Sequence, residues 1–128
     1  MRLRADARAP AEARAFIRGA TDTMPITAET REDVVLMASE LVTNAVQSGA
    51  SDISIGLVVN DQELLLIVND DGAGWPTVSA AEDDEEGGRG LAIVAQLADR
   101  WEVVRQAHGK RVRAILGMNN DMDNAVPG

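Results

Sequence analysis

Two stretches of this chain read as strands that double back on themselves, and that pairing restricts the fold more than any other feature. In the first, Ile53, Ile55, Leu57 and Val59 alternate with Ser54, Gly56 and Val58, Asn60-Asp61 supplies a turn, and the apolar run Leu64 to Val68 returns. In the second, Trp101 to Gln106 and Val112 to Leu116 flank the turn Ala107-His108-Gly109-Lys110. Strands that arrive as hairpins pair antiparallel, so a mainly antiparallel sheet with helices on one face is expected. The 128 residues suffice for one such domain and are too few for two. Phe16, Trp75 and Trp101 are the aromatic residues, so aliphatic side chains must build the core.

Three helices complete the pattern. Pro10 suits a first helical turn, and the Ala-rich stretch to about Gly19 reads as a short helix. A longer helix should start at an N-cap on Thr27, carry acids in its first turns (Glu29, Glu32, Asp33) and stop at Gly49. Val34, Met37, Ala38, Leu41 and Ala45 recur on it at three- and four-residue spacing, one apolar stripe about 100° wide. The third stripe, Leu91, Val94, Leu97 and Ala98, follows Gly87-Gly88-Arg89-Gly90, so those glycines are expected just ahead of a helix. Residues 1–8 and the polar tail 118–128 are expected to be flexible, leaving residues 9–117 as the domain.

The charge distribution narrows function. The formal net charge is −9, and from Glu32 to Gly88 there are 13 acids and no Lys or Arg. No nucleic acid is expected on such a surface, and a phosphate held there would need a cation and backbone donors. Without cysteine, disulfides and thiolate sites are excluded, and a single histidine, His108, excludes a catalytic triad or a multi-histidine metal site. No apolar run approaches the length of a membrane span and no secretory leader is visible, so a cytoplasmic location is expected. The basic residues Arg100, Arg105, Lys110, Arg111 and Arg113 read as a solvated strand face, or else as a partner-binding patch.

Three constellations could carry chemistry. Glu40 and Asn44 stand one helical turn apart at the edge of the second helix's stripe. The pair reads either as an amphipathic edge or as a carboxylate that orients a nucleophile beside an amide that ligates Mg²⁺. Asp70-Asp71-Gly72-Ala73-Gly74 follows a strand end. There a carboxylate can accept a hydrogen bond from an exocyclic amino group, and glycines let another group approach the backbone; Asp and Gly are also ordinary turn formers. Gly87, Gly88 and Gly90 can expose helix N–H groups to an anion, with Arg89 the nearby cation. Neither a Walker loop nor a dinucleotide fingerprint is present.

In that order and spacing, ELVTNA at Glu40 to Ala45, DDGAG at Asp70 to Gly74 and GGRGLAIV at Gly87 to Val94 resemble the N, G1 and G2 boxes of the GHKL ATPases. Residues 10–116 resemble the short branch of anti-sigma factor serine kinases. The resemblance implies a Bergerat fold: a two-layer α/β (α+β) sandwich in which a mainly antiparallel, mixed sheet packs helices on one face. It implies Glu40 as general base, Asn44 as Mg²⁺ ligand, Asp70 as the carboxylate that reads adenine, and Gly72 and Gly74 as the loop beneath the base. Gly88, Arg89 and Gly90 would form the phosphate-facing end of a lid over Thr77 to Gly88, with Leu91 starting the helix behind it. The implied activity is transfer of a phosphoryl group from ATP to a serine or threonine of an anti-sigma antagonist by a homodimeric protein that also binds a sigma factor, with ATP or ADP and Mg²⁺ as ligands. A nucleotide-gated binding module with little or no kinase activity is the alternative. Two stretches depart from the family pattern: Gln47-Ser48-Gly49-Ala50 replaces a His-Ala pair, and Gly109-Lys110-Arg111 replaces the Gly-Thr whose hydroxyl supports the adenine carboxylate.

Overall fold

The structure, a computed structural model, describes residues 1–72 and 86–118, with the backbone alone for 86–90. Helix α1 spans Ala9–Thr21 with Pro10 in its first turn, and its every-fourth-residue stripe of Ala9, Ala13, Ile17 and Thr21 is buried. Helix α2 spans Ala28–Gln47, and the Thr27 hydroxyl accepts the Thr30 N–H at 3.0 Å as its N-cap. It ends at Gly49, whose φ is +88°. There Ala50 N–H reaches Ala45 O at 3.1 Å and Gly49 N–H reaches Val46 O at 3.2 Å, the two bonds of a Schellman motif. Val34, Met37, Ala38, Leu41 and Ala45 are all buried, and α1 packs along α2. Each large apolar side chain withdrawn from water in this way, Ile17 and Met37 among them, contributes about 1.5–3 kcal/mol.

Strands β1 (Arg2–Arg4), β2 (Asp52–Val59), β3 (Glu63–Asp70), β4 (Arg100–Gln106) and β5 (Gly109–Gly117) form one sheet in the order β1-β2-β3-β5-β4, every pair antiparallel. Ile53 and Ile55 of β2, Leu64, Leu66 and Val68 of β3, and Val112, Ala114 and Leu116 of β5 point into the core with the helices, whereas Val58 and Val104 remain exposed. The chain leaves β3, forms helix α3 (Glu86–Leu97) against α2, runs down β4 at the sheet edge and returns as β5 between β4 and β3. That route sets the first residues of β5 beside the last residues of β3.

Three boundaries differ from the sequence reading. Residues 2–4, expected to be flexible, form β1, because the otherwise unpaired edge of β2 takes up their backbone groups and Leu3 reaches the core. Met118 also belongs to the fold, with its N–H on Gln62 O at 2.7 Å and its side chain buried; residues 119–128 lie outside the described residues. Helix α3 begins at Glu86 and not after Gly90, so Gly87, Gly88 and Gly90 are part of it. Each helical glycine costs up to about 1 kcal/mol, which the burial of Leu91 and Val94 further along the helix, at about 1.5–3 kcal/mol each, offsets.

Candidate functional site

Helix α2 presents Glu40 and Asn44 one turn apart; Glu40 is half-buried and Asn44 is buried. The helix is tied at its C-terminus to the end of β3. A Cβ added to Gly72 would lie 3.0 Å from both Ala50 N and Ser48 Oγ, so the backbone after Asp70 passes directly against the helix cap. Asp71 strengthens the junction, its Oδ1 accepting the N–H of Ser51 at 2.7 Å and of Asp52 at 3.1 Å. The N–H groups of Asp52 and Ser51 hold the Asp71 carboxyl below its ordinary range. The helix that carries Glu40 and Asn44 and the strand end that carries Asp70 therefore meet in one junction.

Asp70 is buried on the helix-covered side of the sheet. Its Oδ1 accepts the N–H of Gly72 at 2.8 Å, and its Oδ2 lies 2.8 Å from Lys110 Nζ. Here the sequence reading needs correction. Lys110, grouped with four arginines on a solvated strand face, is 2% exposed, and it pairs in register with Asp70 across the β3–β5 ladder. The arginines do meet water: Arg100, Arg105 and Arg111 are exposed, and Arg113 pairs with Glu102 at 2.9 Å in a partly exposed contact. The difference is strand phase. Lys110 is two, four and six residues from Val112, Ala114 and Leu116, all on the core side, whereas Arg111 and Arg113 fall on the other. The two-residue period was the signal that could have found it.

Gly109 makes the approach possible. Its φ is +106°, and a Cβ there would fall 1.8 Å from Asp70 O and 2.6 Å from Asp71 Cα, so only glycine lets β5 begin against the end of β3. Leu91, the residue expected to back the lid, is 2% exposed in the core. The backbone of Gly88, Arg89 and Gly90 is helical, while Gly74 and the acidic stretch 77–85 lie outside the described residues. Among the described residues no cluster of three or more His, Cys, Asp or Glu could hold a metal. Mg²⁺ at Asn44 would take that amide oxygen with phosphate and water among its other ligands, which suits an ion that keeps much of its hydration shell. A groove of about 500 Å³ between β1 and α1, bounded by Arg4, Arg8 and Phe16, contains none of these residues. Among the described residues no helix is long and apolar enough to cross a membrane.

The model of the histidine kinase-like ATPase domain matches residues 3–116, and the chain belongs to that family. Its fold is similar to a crystal structure of the RsbU and RsbW domains of a Mycobacterium tuberculosis protein, at 20% identity and a TM-score of 0.66 over 91% of this chain and 31% of that one. It is also similar to the histidine kinase domain of a blue-light activated histidine kinase from Erythrobacter litoralis, at 24% identity and a TM-score of 0.55 over 87% of this chain and 60% of that one. A further structure of the Erythrobacter litoralis kinase matches at 23% identity and a TM-score of 0.58, over 88% of this chain and 41% of that one. The chain thus spans between 31% and 60% of the solved chains it resembles. Comparison with curated proteins gives no match.

Proposed function

We propose that this ATPase-family domain is a protein serine/threonine kinase of the partner-switching type, which phosphorylates an anti-sigma antagonist and binds a sigma factor. The observation that carries the reading is the junction of α2 with β3, which holds Glu40 and Asn44 on one element and Asp70 and Gly72 on the other in a histidine kinase-like ATPase domain. The fold likeness to the RsbW domain favours this branch. In the proposed site Asp70 accepts the adenine amino group, and Gly72, packed on the cap of α2, sets the backbone that follows Asp70 beneath the base. Asn44 would hold Mg²⁺, which offsets phosphate charge when bound, and the free N–H groups of the first turn of α3, up to Gly88, face the phosphates, with Arg89 and Gly90 in the turn behind them and Leu91 anchoring the helix. Glu40 takes the proton of the substrate hydroxyl as its oxygen bonds to the phosphoryl group and ADP departs. A cytoplasmic homodimer is part of the proposal.

The alternative is a nucleotide-gated binding module with little kinase activity, in which Lys110 at Oδ2 of Asp70 changes how the nucleotide is held. Labelled ATP incubated with purified protein and candidate antagonist domains separates the two readings. The kinase reading expects labelled antagonist, about 10²-fold less with Glu40→Ala, and nucleotide binding retained in that variant. Binding without transfer to any antagonist selects the module. A melting temperature unmoved by saturating Mg²⁺-ATP removes the nucleotide site from both.

A further inference from the structure

The partner of Asp70 has a consequence for what the site can bind. Lys110 and Asp70 have side chains 2% and 3% exposed, and the ammonium stands 2.8 Å from Oδ2. Yet Nζ makes no well-directed hydrogen bond with any group among the described residues, although an ammonium has three N–H donors. The pair is matched in charge and incomplete in hydrogen bonding. Oδ1 is engaged separately by the Gly72 N–H. A base amino group arriving at Oδ2 therefore has to share that oxygen with an ammonium of the protein itself.

Resting on the nucleotide-site reading above, we propose that Lys110 is an affinity- and base-specificity-determining residue: its ammonium competes with the exocyclic amino group of a purine for Oδ2 of Asp70. Binding of the base then exchanges one amine donor for another. The incoming donor is neutral and the outgoing one charged, and in a dry site the charged contact is the stronger, so the amino group adds little net affinity. The poor direction of the Lys110 contact and the flexible four-carbon stem of lysine let Nζ give way at Oδ2 while it stays within ion-pair distance of the carboxylate. Gly109 keeps the backbone of β5 pressed on Asp70 throughout, so the competitor stays within reach. A hydroxyl at position 110 would have the opposite effect, supporting the carboxylate while leaving an oxygen open to the base.

Two measurements test this. In the wild-type protein, titration calorimetry should show adenosine binding less than about threefold more tightly than purine riboside, which lacks the 6-amino group, because that group gains only an exchange. In Lys110→Thr the same preference should rise to roughly tenfold or more, with adenosine and Mg²⁺-ATP both tightening by a similar factor. Lys110→Met, which removes the charge and keeps the length, should also tighten adenosine if competition is the cause. Wild-type preference for adenosine of tenfold or more overturns the proposal without recourse to any variant. So does a folded Lys110→Thr that binds adenosine no more tightly, or one that loses Mg²⁺-ATP affinity while adenosine is unchanged, since that result makes Lys110 a phosphate ligand. Failure of wild type and variants alike to bind Mg²⁺-ATP overturns the nucleotide reading itself, and this proposal with it.

Discussion

The seam between α1 and α2 and the seam between β3 and β5 each join a cation to a carboxylate, and they differ in what water does to the join. At the helix seam Arg18 meets Glu32 at 2.6 Å with both side chains more than half exposed, and Arg31 reaches the Thr21 carbonyl at 2.8 Å. The Arg18 guanidinium holds the Glu32 carboxyl below its ordinary range, yet solvent screens the pair and competes for both partners. At the strand seam Asp70 and Lys110 touch at 2.8 Å with almost no exposure. A buried pair is expensive to form and more expensive to halve, because the survivor is an unpaired charge out of water. The helix seam is therefore tolerant and the strand seam exacting, and the candidate site is built on the exacting one.

The largest expected effect breaks the strand seam. Asp70→Ala leaves the Lys110 ammonium buried alone and should cost about 3–5 kcal/mol in urea unfolding; a loss below about 1 kcal/mol would show that Lys110 escapes to water and that the seam is not dry. Gly109→Ala should follow at about 3 kcal/mol or more, since left-handed backbone strain adds to a Cβ driven into Asp70 O. Gly49→Ala sharpens the comparison, because that glycine also has positive φ but nothing within 4 Å of an added Cβ. Its cost should be strain alone, about 1–2 kcal/mol, and equal losses at Gly49 and Gly109 would contradict the close approach at the strand seam.

The smaller effects concern exposed carboxylates. The folded-state pKa of Asp71 lies below its unfolded value, so its contribution is present above the ordinary carboxylate range and is lost as pH falls through the depressed folded value. Asp71→Asn should flatten the acid limb of a stability profile measured from about pH 6 to about pH 2, and an unchanged limb would detach Asp71 from the junction. Arg18→Ala should be the mildest change, with a melting temperature near that of wild type. A loss there as large as that of Asp70→Ala would erase the distinction between the seams.

Much of this is legible in the sequence alone. The stripe on α2, its Thr27 cap and its Gly49 stop all appear as read, because capping and helical periodicity depend on residues within a few positions of one another. Both hairpins appear for the same reason: a tight turn ties each strand to its neighbour. The errors lie where distance along the chain is large. Leu3 alone could not announce that residues 2–4 close the edge of β2 some fifty residues away. The glycines of α3 look like a loop in sequence, and packing beyond them made them helix.

The amino-acid sequence by itself determined the three helices, the two hairpins and their order, and it carries the three boxes with Glu40, Asn44, Asp70 and Gly72, since each depends on local spacing and residue type. Only the tertiary structure decided the state of Asp70. Its partner lies 40 residues further on, brought into register because the chain passes through α3 and the edge strand β4 before β5 enters beside β3. A lysine in a basic stretch looks solvated until the sheet assigns its face. Burial then turns the same charge from a screened surface group into the resident partner of the Asp70 carboxylate.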